Sequence, residues 1–220
     1  QDRGGQLELI ARIVRGTLSS AVGADALPMD RLSRRIGFHR AAGPQLAAAA
    51  PEFRAQVEAY CRGVNAGIDE GQRRPPHELA IMKGGQTRWE PADVQAFLQL
   101  LCFALASNWD IELARLAILE RDGEQALQDL DPVYPEWLCV STPPGTKSGE
   151  AVNHLAEDIA LFRAVIGVGG GSNAWVVSAD KTASGRPLLA NDPHMLPSAP
   201  SQFYMAHLAT PQWRVVGGTF

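Results

Sequence analysis

Apolar positions recur every three or four residues over roughly the first 130 residues, and every second residue after Gly171. Leu7, Ile10, Val14 and Leu18 stripe residues 6–22, with Arg12 and Arg15 on other faces, and predict a helix stopped at Gly23. Asp30 is placed to cap a second, short helix that carries Leu32 and Ile36 and ends near Gly37. The alanine-rich stretch 42–65 has high helix propensity, is broken by Pro51, and sets Phe53, Val57, Tyr60 and Val64 on one face. Gly67, Gly71, Pro75-Pro76 and Gly84-Gly85 punctuate residues 66–88 and predict a loop.

Trp89-Glu90-Pro91 opens the strongest helix, since proline suits a first turn. Val94, Phe97, Leu98, Leu101 and Leu105 make it apolar on most faces, which predicts deep burial. A further helix is predicted over 110–121. The pattern changes at Asp131-Pro132, and the turn-rich 141–149 (STPPGTKSG) separates the helical part from a clean amphipathic stripe of Val152, Leu155, Ile159, Phe162 and Ile166. Beyond Gly171, residues 174–178 and 187–190 read as a hairpin closed around Ala183-Ser184-Gly185, and 202–208 and 213–216 as two more strands. The fold class expected is α+β, a helical portion running into the start of a sheet.

Composition narrows the function classes. With 220 residues, 45% of them hydrophobic, the chain can bury a core. Twenty basic against 24 acidic residues give a net charge of -4, with no bulk attraction for nucleic acid or anionic lipid. No apolar run approaches the roughly 20 residues of a membrane span. The start, QDRGGQLELIAR, has neither the initiator Met nor the basic and apolar regions of a signal peptide, so the chain reads as a piece of something longer. Cys61, Cys102 and Cys139 show no CxxC spacing; Cys61 and Cys102 lie in apolar helical contexts and read as small buried thiols. The five scattered histidines make no zinc motif.

The candidate chemistry sits at Gly171-Ser172. By itself GGGS is a plain linker, and the chain would then be a non-enzymatic helical binding module. The residues downstream of the glycines favour a different reading, because the serine occupies the first position of a Trp- and Val-rich strand. Glycines on the donor side allow the tight turn in which a serine hydroxyl attacks the carbonyl before it. The shift and subsequent hydrolysis free Ser172 as an amino terminus. A terminal amine has an unperturbed pKa of about 7.7 to 8.0, so it can take the proton of its own hydroxyl without a separate His-Asp pair.

Gly170-Gly171-Ser172-Asn173-Ala174-Trp175 and, after a fixed interval, Thr182 through His194 (TASGRPLLANDPH) resemble the start of the catalytic chain of the penicillin amidase family of N-terminal-nucleophile hydrolases. The earlier segments Gln1-Asp2-Arg3, Tyr60 to Asn65 (YCRGVN), Trp89-Glu90-Pro91-Ala92-Asp93 and Glu112-Leu113-Ala114-Arg115 are similar to the helical chain that precedes the nucleophile. Gly4-Gly5 departs from the leucine and aromatic usual there. The resemblance spans nearly all 220 residues yet corresponds to a slice of a family precursor.

The resemblance implies a self-processing amidohydrolase for penicillin-type β-lactams or N-acyl-homoserine lactones, within a four-layer αββα sandwich of which this chain holds the helices and first strands. It makes Gly171 and Ser172 the cleavage site, Ser172 the nucleophile and, through its amine, the base. It makes His194 the group that orients the amine, Asn173 a support for the new terminus, and Met195 a lining of the acyl pocket. Glu112, with Asp110 as a rival, matches a carboxylate that helps bind a structural calcium ion; no cofactor is implied for catalysis. Residues 1–140 would be the α-chain, 141–171 an excised spacer and 172–220 the start of the β-chain of a periplasmic or secreted heterodimer made from one precursor. The spacer's amphipathic helix would either cover the acyl groove or keep the tether compact. The oxyanion-hole donors lie past Phe220 in the family, so the 220-residue piece alone is expected to be inactive.

Overall fold

Gly16, and not Gly23, ends the first helix. The computed structural model of the protein describes residues 2–71, 75–82, 85–106, 108–130, 150–166, 171–195 and 197–220. Helix α1 spans Gly4–Arg15, and Gly16 takes the left-handed conformation (φ 65°) that closes it. A Cβ there would lie 2.6 Å from Cγ of Arg34 and 3.0 Å from the Asp30 carbonyl oxygen, so both backbone sign and space require glycine. The chain resumes as the short α2 (Ser19–Val22) and then α3 (Leu27–Ile36), which ends at Gly37 (φ 82°) as the sequence predicts. Asp30 does not cap α3. It lies inside that helix and accepts hydrogen bonds from the backbone N–H groups of Leu18 and Ser19, at 2.7 and 2.9 Å, and so caps α2.

Helix α4 runs Phe38–Ala48 and α5 runs Pro51–Gly71, with Pro51 starting α5 instead of merely breaking a helix. The region expected to be loop is partly helical: α5 continues through Gly67 to Gly71, and α6 occupies His77–Ile81. The buried face of α5 is Val57, Cys61 and Ile68, whereas Phe53 and Tyr60 are exposed, a rotation of the face from the one expected. Helix α7 (Pro91–Leu105) begins where the sequence places it. The Asp93 carboxylate accepts from the Glu90 N–H at 2.7 Å, a capping arrangement. It is one-sided and not deeply buried all round: Ala96 and Leu100 are buried while Leu98 and Leu105 face outward. Helix α8 (Trp109–Leu130) bends at Gly123 (φ 85°), and α9 is Glu150–Ile166. The turn-rich stretch 141–149 and Cys139 lie outside the described residues.

Residues Gln1–Ile166 form one compact unit and Gly167–Phe220 another. In the helical unit α4 packs on α7, α1 on α7 and α3, and α9 on α3 and α8. One core joins Val14, Met29, Leu32, Phe38, Leu100, Ile159 and Phe162; a second joins Ala11, Val57, Cys61, Ile68 and Trp89. Burying a side chain such as Leu32 or Phe38 contributes about 1.5–3 kcal/mol.

Two buried carboxylates cross-link these cores. Asp93 receives Nε and Nη2 of Arg15 at 2.7 and 2.6 Å, a two-point clasp of α7 to α1. Glu8 accepts from Arg12 and from the Thr87 hydroxyl. The Asn65 side chain exchanges two 2.9 Å hydrogen bonds with the Trp89 backbone, joining two segments that carry the sequence resemblance. Cys102, expected to be buried, is exposed. No single helix among the described residues is long and apolar enough to cross a membrane.

The second unit contains two antiparallel hairpins. Strand β1 (Ser172–Val177) pairs with β2 (Leu188–Pro193), and β3 (Tyr204–Ala209) with β4 (Arg214–Thr219). Both strands of the first hairpin start or end within a few residues of the expected bounds. Helices followed by antiparallel strands make the chain α+β.

Candidate active site

The first hairpin sets the geometry of the candidate site. Its register pairs Ser172 with Pro193, Asn173 with Asp192 and Ala174 with Asn191. One rung further out, the His194 N–H donates to the Gly171 carbonyl oxygen at 3.1 Å. Antiparallel pairs alternate between hydrogen-bonded and non-hydrogen-bonded, so the Ser172–Pro193 pair is of the second kind. Proline has no N–H to offer and fits there at no cost to the ladder. The Ser172 N–H therefore points away from β2.

The turn that fixes this register is built from small residues. The Gly185 N–H donates to the Thr182 carbonyl at 3.2 Å, and Gly185 takes φ 64°, which favours glycine. The Thr182 hydroxyl donates to the Arg186 carbonyl at 2.8 Å.

His194 gathers the polar groups. Its Nε2 lies 2.8 Å from Oδ2 of Asp192 and 3.5 Å from Nδ2 of Asn173. A carboxylate only accepts, so the hydrogen bond at that distance is donated by Nε2. The structure therefore brings together Gly171, Ser172, Asn173 and His194 around one end of one hairpin. Asp192 is a member the sequence reading missed as a site residue, although a carboxylate two positions before a histidine on a strand shares its face. All five are exposed in this chain, and Met195 just beyond is half-buried.

Apolar side chains of the hairpin are also bare. Trp175, Val176, Leu188 and Leu189 are 56–78% exposed, and a two-stranded hairpin buries too little to hide them.

Glu112 belongs to the helical unit, where it is exposed on α8 and pairs with Arg115 at 2.7 Å. Asp110, two residues earlier on the same helix, does not share its face. Among the described residues no three His, Cys, Asp or Glu side chains gather as a metal site. A calcium ion takes six to eight oxygen ligands, so Glu112 would need further ligands beside it.

The helical unit carries an open apolar groove of about 420 Å³, lined by Phe38, Leu98, Cys102 and Phe103. Gln95 and Gln99 both donate to Gln45 at its edge, at 2.7 and 3.0 Å. None of the expected site residues lines it.

The sequence model of the family described as penicillin amidase matches residues 1–220. The acyl-homoserine lactone acylase QuiP of Pseudomonas aeruginosa is 31% identical over 226 residues, covering 98% of this chain and 26% of that protein. The penicillin acylase 2 proenzyme of Pseudomonas sp. (strain SE83) is 31% identical over 234 residues, 100% of this chain and 29% of the relative. Penicillin G acylase of Escherichia coli is 34% identical over 123 residues, 54% of this chain and 14% of its own. The chain thus spans between a quarter and a third of the length of the first two. Residues 1–220, helices and hairpins alike, belong to the penicillin amidase family.

Proposed function

We propose that the chain is the nucleophile-bearing part of a self-processing amidohydrolase that cleaves small N-acyl amides. The observation that carries the reading is the placement of Gly171-Ser172 at the open end of β1, with His194 donating its N–H to the Gly171 carbonyl. In the precursor the Ser172 hydroxyl attacks that carbonyl carbon. The Gly171–Ser172 C–N bond breaks, an ester to Oγ forms, and the nitrogen leaves as an amine after taking the hydroxyl proton. Water then hydrolyses the ester to a Gly171 carboxylate and a free Ser172. The His194 N–H polarises the carbonyl as negative charge builds on its oxygen.

In the mature protein the Ser172 amine takes the proton of its own hydroxyl as Oγ attacks the substrate carbonyl, and passes it to the departing amine. Water hydrolyses the acyl ester in the second half. The position of Ser172 in a non-hydrogen-bonded pair supports this, because its nitrogen is not tied into the ladder with β2. Asp192 holds His194, and His194 with Asn173 orients the amine. The exposed apolar faces of both hairpins are consistent with further layers of an αββα sandwich. Acyl-homoserine lactones are the first substrates to test, since the relatives named for them and for penicillin match at equal identity and the former recur.

The test is mass spectrometry of the expressed full-length protein. Two chains, one beginning at Ser172, are expected, and Ser172→Ala should leave a single chain without amidase activity. An uncut, active chain would overturn the mechanism. A hydrolysis panel across acyl lengths and leaving amines then assigns the substrate.

A further inference from the structure

Helix α9 falls inside residues 141–171, the stretch that the resemblance marks for excision. Its packing argues that it is not disposable. Ile159 and Phe162 are 3% and 2% exposed and belong to the same core as Met29 and Leu32 of α3, Phe38 of α4 and Leu100 of α7. The Phe162 ring meets Phe103 edge-on, with centroids 5.4 Å apart. Leu155 adds to the same stripe.

The charge on that face is matched as well. Asp158 is fully buried and accepts Nη2 of Arg31 at 2.7 Å and Nη1 of Arg35 at 3.5 Å. Arg31 and Arg35 are one turn apart on α3, so one face of that helix grips one carboxylate. A buried carboxylate is retained only when paired, and a helix serving as a loose tether would turn Asp158 to water. Positions 155, 158, 159 and 162 thus form a single face whose apolar and charged members both find partners on the helical unit. Taking α9 away would bare Leu32 and Met29 and remove the carboxylate from Arg31.

We propose that residues 150–166 remain in the mature protein as an integral helix of the α-chain, seated on α3 and α8 after Gly171–Ser172 is cut. Any segment released in maturation then excludes α9. The proposal rests on the cleavage at Ser172 proposed for the precursor, and its test separates the two. The full-length protein is purified natively, and the intact masses of its denatured chains are measured. An α-chain that contains 150–166, in one-to-one amount with the Ser172 chain, is expected. An enzyme cut at Ser172 whose α-chain lacks 150–166 overturns the proposal.

A protein not cut at Ser172 counts against the cleavage reading alone, and hydrogen exchange on that same protein then decides the helix. Amides of 155–162 exchanging within about tenfold of those of α3 support the seat; exchange at the rate of an unprotected peptide overturns it. Asp158→Ala should speed exchange across α9 more than across α5, because the ion pairs of Asp158 run to Arg31 and Arg35 of α3.

Discussion

His194 Nε2 stands 2.8 Å from Oδ2 of Asp192, two residues earlier in the chain and directly across from Asn173. The same ring nitrogen lies 3.5 Å from Nδ2 of Asn173, so the carboxylate holds the imidazole beside that side chain. Asp192→Asn keeps the shape and removes the charge. It should lower kcat by up to about 10²-fold, the low end of what positioned proton transfer supplies, with KM little changed. The thermal midpoint should not move, because both side chains are exposed. An unchanged kcat would remove Asp192 from the site.

The Arg15–Asp93 clasp joins α1 to α7 across 78 positions of sequence. The Asp93 side chain is fully buried, and its hydrogen bonds also raise the Arg15 pKa above its ordinary value. Asp93→Ala leaves a partly buried guanidinium and the Glu90 N–H without their acceptor. A destabilisation of about 3 kcal/mol is expected from breaking such a pair. Urea unfolding of the Ser172→Ala precursor measures it, and a shift below about 1 kcal/mol would show the clasp to be incidental.

Burial, with smaller help from Asp93, Glu58 and Glu90, pushes the Cys61 thiol up from 9.0 to about 11. The folded state therefore keeps a proton that the unfolded chain gives up. Stability from this group is fully present below pH 9 and is lost as pH rises from 9 toward 11. Alkylation of Cys61 in the native full-length protein should be slow at neutral pH and still rising above pH 9. A rate that levels off near pH 9 would contradict it.

The 220-residue chain on its own should show no measurable amide hydrolysis. By resemblance the oxyanion donors lie past Phe220, and losing one such donor typically costs about 10²- to 10³-fold. A sensitive fluorogenic N-acyl amide assay on the purified chain checks this, with the full-length protein as the positive control.

Local chemistry was the most readable part of the sequence. Pro91 after Trp89-Glu90, Gly37 as a helix stop, the 155–159–162 stripe and the small-residue turn at Gly185 each act within a few residues, and each element stands where its pattern places it. Gly16 was hidden because the apolar period runs through it to Leu18, and only the Arg34 side chain and the Asp30 carbonyl beside it show that nothing larger fits. Asp30 misled for a related reason: its partners at Leu18 and Ser19 lie upstream, across a turn that no local rule anticipates. Phe53 and Tyr60 share a face with Val57 by spacing, but the neighbouring helices fall on the side of Cys61 and Ile68. At the site, the family resemblance picked out Ser172, Asn173 and His194, while Asp192 became visible as their companion only once the strand register was known.

The turn at Gly185 reaches further than its own residues. In a two-stranded ladder every pairing is inherited from the closing loop, and a slip of one residue turns each side chain to the other face. One residue inserted between Lys181 and Pro187 would set Ser172 opposite a residue with an N–H to offer and swing His194 away from Asn173, with no site side chain altered. The alignment of Ser172 is thus held at the far end of the hairpin, as the position of a lever's tip is held at its fulcrum.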